Sequence, residues 1–295
     1  MAPRARPGPI VIIGSINMDL VCCTPTLPRA GETVLGSEFL TIHGGKGANQ
    51  AAAAARIAEG RADVHMIGRV GDDDFGRELL GGLRENGVVT KRVGVTKGAA
   101  SGVAMILVDR NGENSIVVTP GANAKLTPAD IDAAQGLIRT AAVVVMQLEI
   151  PLATVRHALK LCRRLGVFTI LDPAPAPAKP LAFDVDLLTP NETETRTVRR
   201  AGAKQVVLKL GARGSELIDG DGSHRVKPFK VKVVDSTAAG DAFTGALAVG
   251  RALGMPMTET LRMANAAGAL CCTKLGAQPA LPTRREIQRL LARSQ

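Results

Sequence analysis

Residues 233–250, VVDSTAAGDAFTGALAVG, set one acid, Asp241, directly behind a glycine at the mouth of an apolar helix. Ala238, Ala239 and Gly240 are small enough to bring backbone N–H groups against a bulky anion, and the helix that starts there adds the positive end of its dipole. A carboxylate on the rim of such a hole repels phosphate, so its use must be to take a proton. It suits a reaction in which a hydroxyl is deprotonated as it attacks phosphorus. The plainer alternative is that Asp241 caps its own helix. A second stretch, HGGKGANQ (43–50), puts glycines on both sides of Lys46. The first two would let the backbone approach a ligand closely, and Gly47 opens a helix whose amides can bind oxygen atoms. Neither the phosphate-binding P-loop spacing nor a dinucleotide glycine fingerprint occurs.

The remaining polar candidates sit where strands should end. GSINMD places Asn17 and Asp19 after the first strand, QLE ends on Glu149, TPNETE holds Asn191 and Glu194, and LKLGARG supplies Lys209, Gly211 and Gly214. In open parallel sheets ligands lie beyond the carboxyl ends of the strands, so these groups converge on one edge. Taken singly, each also reads as a helix cap or turn former. Near-continuous Val/Ile/Leu runs at 9–14, 63–71, 141–149, 166–172, 184–191 and 204–211 predict strands. Helical patterns at 46–60, 73–87, 151–165, 240–253, 257–272 and 283–292 separate or follow them. The alternation predicts an α/β fold with a doubly wound, mostly parallel sheet covered by helices on both faces. Two stretches break the rhythm, about 17–45 and 96–120. They read as strands outside the main sheet, forming a small β-sheet lid inserted into a single unit spanning 1–295.

Forty-five per cent of the 295 residues are hydrophobic, but with six Phe and no Trp or Tyr the core must be aliphatic. The missing rings also argue against single-stranded nucleic acid, which is usually held by stacking. A formal charge of +10 suits a small polyphosphate, a nucleic acid or merely a solvated basic surface, and Arg196, Arg199, Arg200 and Lys204 form only a short cluster. Cys22-Cys23, Cys162 and Cys271-Cys272 show no metal-ligand spacing and read as small buried hydrophobes in a reducing compartment. No apolar run has the length of a signal peptide core or a membrane span, so a cytoplasmic protein with no membrane partner is expected.

GSINMD, GGKGANQA, GDDDFG, QLE, TPNETE, DSTAAGDAFTGAL and GAQPALP occur in order and at approximate spacing as in the ribokinase/phosphofructokinase-B family of sugar kinases, which the chain resembles over nearly its whole length. The resemblance implies ATP-dependent phosphorylation of the 5-hydroxyl of D-ribose, with Asp241 as general base and Ala238, Ala239 and Gly240 as anion hole. It assigns ribose contacts to Asn17, Asp19, Gly45, Lys46, Asn49 and Glu149. It assigns the nucleotide to Lys209, Gly211, Gly214 and Asn265, and hydrated Mg²⁺ to Asn191 and Glu194. A K⁺ site would draw on Asp235, Thr237, Cys271, Lys274 and Gly276, with Ala280 standing where the family leads one to expect serine. The resemblance also implies a homodimer formed through the lid; with no aromatic stacking platform and only a short basic cluster, no nucleic-acid partner is expected. A kinase of deoxyribose, another small sugar or a nucleoside is a near alternative, and a catalytically impaired sugar- or nucleotide-binding relative is another. One departure stands out: TRTVRRAGAKQ gives only 11 residues between TPNETE and the next strand, roughly 18 to 20 short of the expected helical crossover.

Overall fold

The computed structural model describes residues 7–199 and 202–293. Arg200 of the basic cluster, and with it the middle of the shortened crossover, lies outside them. The strand β1 (Ile10–Ile13) is wholly buried, as a run of four aliphatic residues must be at the centre of a sheet covered on both faces. It is followed by β2 (Asn17–Cys23), β3 (Glu38–Gly44), α1 (Lys46–Ala58), β4 (Val64–Gly71), α2 (Asp74–Glu85), β5 (Val88–Thr96), β6 (Gly102–Val108) and β7 (Asn114–Thr119). Then come α3 (Pro128–Ala133), α4 (Gln135–Arg139), β8 (Val143–Met146), α5 (Leu152–Leu165), β9 (Thr169–Leu171), β10 (Leu181–Ala182), β11 (Val185–Leu188), β12 (Val198–Arg199), β13 (Ala203–Lys209), β14 (Ser215–Asp219) and β15 (Gly222–Val226). The helices α6 (Ala239–Ala252), α7 (Met257–Cys271) and α8 (Arg284–Ala292) complete the chain.

Nine strands form the main sheet in the order β15-β14-β13-β11-β9-β8-β1-β4-β5. The run from β13 to β5 is parallel, and β14 and β15 are antiparallel at the edge. One buried cluster draws on α1, α6 and α7, and the other on α3, α4 and α5, so helices cover both faces as the alternation predicted. The sequence reading missed the edge strands β5 and β15, whose polar, water-facing residues hide their period, and β14 beside β15, whose SELID carries three polar residues in five.

A separate four-stranded sheet has the order β3-β2-β6-β7. Its strands fall within 17–44 and 102–119, and the turn between β6 and β7 is tied by Asp109, whose carboxylate accepts from the N–H groups of Asn111 and Glu113. Only Gly14, Ser15 and Ile16 separate β1 from β2, and only Gly45 separates β3 from α1. The near ends of the lid strands are therefore fixed to the carboxyl edge of the main sheet. Helix α2 meets this small sheet at its near end, where Gly82 lies against the His43 ring and Glu78 bonds to it. Farther along β2, Cys22 and Cys23 are partly exposed, as is Cys272 after α7, which corrects the expectation of five buried cysteines; Cys162 and Cys271 are buried. All five thiols are free.

The crossover from β11 to β13 contains no α-helix among the described residues. A short turn (Glu194–Arg196) leads into β12, which pairs in parallel with β10. Val198 and Phe183 supply the apolar cover that a helix would have given, joining Val185 and Val206 in the second buried cluster.

Candidate active site

The site begins with the packing of small residues. A Cβ added at Gly245 of α6 would lie 2.8 Å from the Ala53 Cβ and 3.0 Å from the Ala54 nitrogen of α1, so the two helices touch almost backbone to backbone. One turn nearer their N-termini the same approach brings Asn49 and Gln50 against Asp241. Asn49 Nδ2 donates to Asp241 Oδ2 at 3.1 Å, and Gln50 Nε2 donates to Asp241 Oδ1 at 3.0 Å. Ala238, not Asp241, holds the N-cap position of α6, and both Asp241 oxygens are taken by these amides, so Asp241 sits inside the first turn rather than at the cap. Burial raises its pKa, Lys46 opposes the rise, Asp172 adds to it, and the two amide donors lower it again. The result is a carboxyl with raised proton affinity, held by two fixed donors.

At the head of α6, Ala238 adopts φ 59°, a left-handed conformation unusual for alanine. It turns the chain sharply into the helix. One expectation needs adjusting: the Ala239 N–H is taken by the Ser236 carbonyl at 3.2 Å, because the turn closes on itself. The donors left at the first turn are those of Gly240 and Asp241.

On the lid side, Asn17 and Asp19 are buried at the start of β2. Asn17 Oδ1 accepts from Asn123 Nδ2 at 2.7 Å, which fixes the amide orientation. Burial, then Glu149 and Asp241, push the Asp19 carboxyl up to about 7, with Lys46 pulling the other way. Burial works against the Lys46 ammonium, but Asp241, Asp172, Glu149 and Glu194 around it outweigh that and hold it above the ordinary lysine range. Glu149 Oε2 accepts from the Ser15 hydroxyl at 2.6 Å and the Lys46 N–H at 3.1 Å, pinning the start of α1. Asn49 Oδ1 is buried without a donor, an acceptor that a ligand hydroxyl can satisfy.

The glycines of HGGKG also make close intramolecular contacts that the sequence reading did not foresee. A Cβ at Gly44 would strike the Asp19 carboxylate at 2.1 Å, one at Gly45 the Asn17 nitrogen at 2.6 Å, and one at Gly47 the backbone of Gly14 and Ser15 at 2.7 Å. Three chain segments converge so tightly that side chains there have no room.

Behind the head of α6 lies a cavity of about 590 Å³, lined by Lys209, Gly211, Gly214, Ala239, Gly240 and Asn265 among others. It gathers every residue expected to meet a nucleotide except Asn191 and Glu194. Asn265 Nδ2 is fixed by the carbonyls of Val226 and Lys227. Asn191 and Glu194 lock each other: the Asn191 N–H and Nδ2 donate to the two Glu194 carboxylate oxygens at 2.8 and 2.9 Å, and the Glu194 N–H donates to Asn191 Oδ1 at 2.9 Å. The short crossover therefore leaves this pair ordered. Burial raises the Glu194 pKa, with Lys209 opposing and Asp172 adding to the rise.

Beside α6, Asp235 Oδ1 accepts from the Thr237 N–H and hydroxyl, and Oδ2 from the Gly276 N–H at 2.9 Å. The carboxylate thus ties the loop before α6 to the loop after α7. The Cys271 thiol points at the Thr237 carbonyl at 3.4 Å, and the Lys274 ammonium is drawn away to Glu286. Ala280 is fully buried and offers no side-chain oxygen to this region.

Sequence reasoning missed Asp172, Gln50, Gln147, Ser15 and Asn123. Asp172 had a usable signal, since it follows β9 directly in ILD as Glu149 ends QLE. Gln50 and Gln147 had none, because their partners lie 97 to 191 residues away.

The pfkB family carbohydrate kinase pattern matches residues 9–284. The ribokinase of Bacillus subtilis is 42% identical over 294 residues, covering 96% of this chain and 99% of that one. Among solved structures, the ribokinase of Thermotoga maritima is 33% identical with a TM-score of 0.86, covering 96% of this chain and 99% of that one. The ribokinase of Arabidopsis thaliana, solved with ribose and ATP, is 32% identical with a TM-score of 0.84, covering 97% and 99%.

Proposed function

Since the chain belongs to the pfkB family of carbohydrate kinases, we propose that it transfers the terminal phosphoryl group of ATP to the 5-hydroxyl of D-ribose. The observation that carries this reading is the position of Asp241, between the polar cluster of Asn17, Asp19, Lys46 and Asn49 and the cavity of about 590 Å³ that Gly240 lines. Asp19, Glu149 and Asn49 offer acceptors to a ligand rich in hydroxyl donors. Asp241 takes the proton of the attacking hydroxyl, and the N–H groups at the head of α6 receive the phosphoryl oxygens. Proton removal at a base held by two amides needs little reorganisation.

Magnesium, when bound, neutralises phosphate charge. Asn191 and Glu194 suit its water shell, because each Glu194 oxygen has one N–H partner and keeps lone pairs for water. No group of three or more His, Cys, Asp or Glu among the described residues is arranged to hold a metal directly. Asp235 with the carbonyls of Thr237, Cys271 and Gly276 offers oxygen donors suited to K⁺. The exposed apolar side chains of the lid support a homodimer, and five free thiols support a reducing, cytoplasmic setting. Among the described residues no helix is long and apolar enough to cross a membrane.

ADP release measured across D-ribose, 2-deoxyribose and other pentoses, with and without K⁺, tests the assignment. D-ribose is expected to give the highest kcat/KM and K⁺ to raise it; a preference for 2-deoxyribose moves the substrate to the near alternative. Asp241→Asn is expected to keep ribose-induced thermal stabilisation and lose about 10²–10⁴ in kcat. An Asn variant with parental turnover refutes the role of the base.

A further inference from the structure

Asp172 is buried at the end of β9, and the roles assigned so far leave it unused. Its Oδ1 meets the Lys209 ammonium at 2.6 Å, with the two side chains 2% and 12% exposed. Lys209, the last residue of β13, reaches across β11 to make this contact. Its nitrogen faces the head of α6: a methyl group placed on Gly240 would lie 3.6 Å from it. The other Asp172 oxygen accepts from Gln50 Nε2 at 3.0 Å, the same nitrogen that holds Asp241. Gln147 Nε2 donates to Gln50 Oε1 at 2.6 Å, so the Gln50 amide can turn only one way.

A buried ion pair gives little net stability compared with apolar residues of the same volume. Its position at the anion hole, and its hydrogen-bonded link to the base, give it a use that stability does not. We infer that Lys209 is the side-chain cation that meets the transferring phosphoryl group, and that Asp172 is the positioning residue that aims its ammonium at the head of α6. Negative charge on the phosphoryl oxygens in the transition state then faces both the α6 amides and a fixed ammonium. This goes deeper than a general nucleotide contact, because it places Lys209 at the terminal phosphate rather than along the nucleotide. It rests on the kinase reading above.

The test compares Lys209→Met, Lys209→Arg and Asp172→Asn with the parent. Calorimetric titration gives the affinity for ADP and for the non-hydrolysable β,γ-methylene analogue of ATP; steady-state kinetics give kcat and KM. The expected result for Lys209→Met is an analogue affinity lowered about 10- to 100-fold, an ADP affinity within about threefold of the parent, and kcat lowered about 10²–10³. Lys209→Arg should recover part of both losses. Asp172→Asn should move the analogue and kcat in the same direction by a smaller factor, with ribose KM little changed. Equal weakening of ADP and analogue, or unchanged kcat in Lys209→Met, overturns the inference. Thermal melts identify a variant that is unfolded, and Lys209→Arg, which keeps the charge, then decides the matter by its own ratio of analogue to ADP affinity. Failure of the parent to phosphorylate any pentose would instead sink the kinase reading, while the affinity ratio would still report where Lys209 lies.

Discussion

Asp19 shows what a binding acid costs the empty protein. Burial and the neighbouring charges of Glu149 and Asp241 raise its pKa to about 7 from an ordinary 3.8. The folded protein therefore binds this proton more tightly than the unfolded chain does. The stabilisation is fully present below about pH 4 and is lost as pH rises through 7. Asp19→Asn mimics the neutral acid at every pH. The ligand-free variant should thus melt higher than the parent at pH 8.5, by about 2–4 °C for each kcal/mol recovered, and the gap should narrow at pH 5.5. It should also lose the stabilisation that ribose confers, because an amide cannot accept from the sugar on both atoms. Melting curves with and without ribose at the two pH values check both statements; a variant less stable than the parent at pH 8.5 would contradict the burial argument.

At the scale of elements, what the sequence made legible is what depends on local pattern. The aliphatic run of β1, the alanine-rich α1 and the acid-headed α2 announce themselves by composition and period, and the observed bounds differ from those expected by only a few residues at most of these ends. The edge strand β15 and its neighbour β14 did not, because their few apolar residues leave no run to read. The site was legible where a polar group ends an apolar strand, as at Asn17, Glu149 and Asn191. It was illegible where a residue matters through a distant partner, as Gln50 does for Asp172 and Asp241. The glycines of HGGKG were seen, but the chain segments they pack against were not, since close approach of the chain to itself and to a ligand leave the same mark. Gly45 tests this: with φ 85° and the Asn17 nitrogen 2.6 Å from any added Cβ, Gly45→Ala strains the joint between β3 and α1. The expected loss is about 1–3 kcal/mol of stability, read from denaturant unfolding, together with a raised KM for ribose because Asn17 and Lys46 move apart. An alanine variant matching the parent in both would show that the joint is slack.

For the molecule as a whole, the unanswered structural demand is the lid. The outer face of this four-stranded sheet is met by α2 at its near end, around Met18 and His43, and its far part carries apolar side chains with no such cover among the described residues. Strand register settles which side chains share a face. Asp19, Ile42, Ala104 and Val118 lie in one row on the pocket side, whereas Leu20, Met105 and Val117 lie in a row on the other, with Cys22 and Phe39 in the next. On that outer side Met105 is 58% exposed, Val117 63% and Phe39 63%, an apolar patch that a second copy would cover by the same patch under two-fold symmetry. Met105 is central to the row, so Met105→Lys places a charge where two lids would meet. Sedimentation should then find a single chain where the parent runs as a pair. Because a lid without a partner loses its outer support while Asp241 and the nucleotide cavity are untouched, ribose KM should rise about tenfold or more, with kcat at saturating sugar changed much less. A parent that sediments as one chain at assay concentration, or a lysine variant that still pairs, would mean that the outer face is covered in some other way.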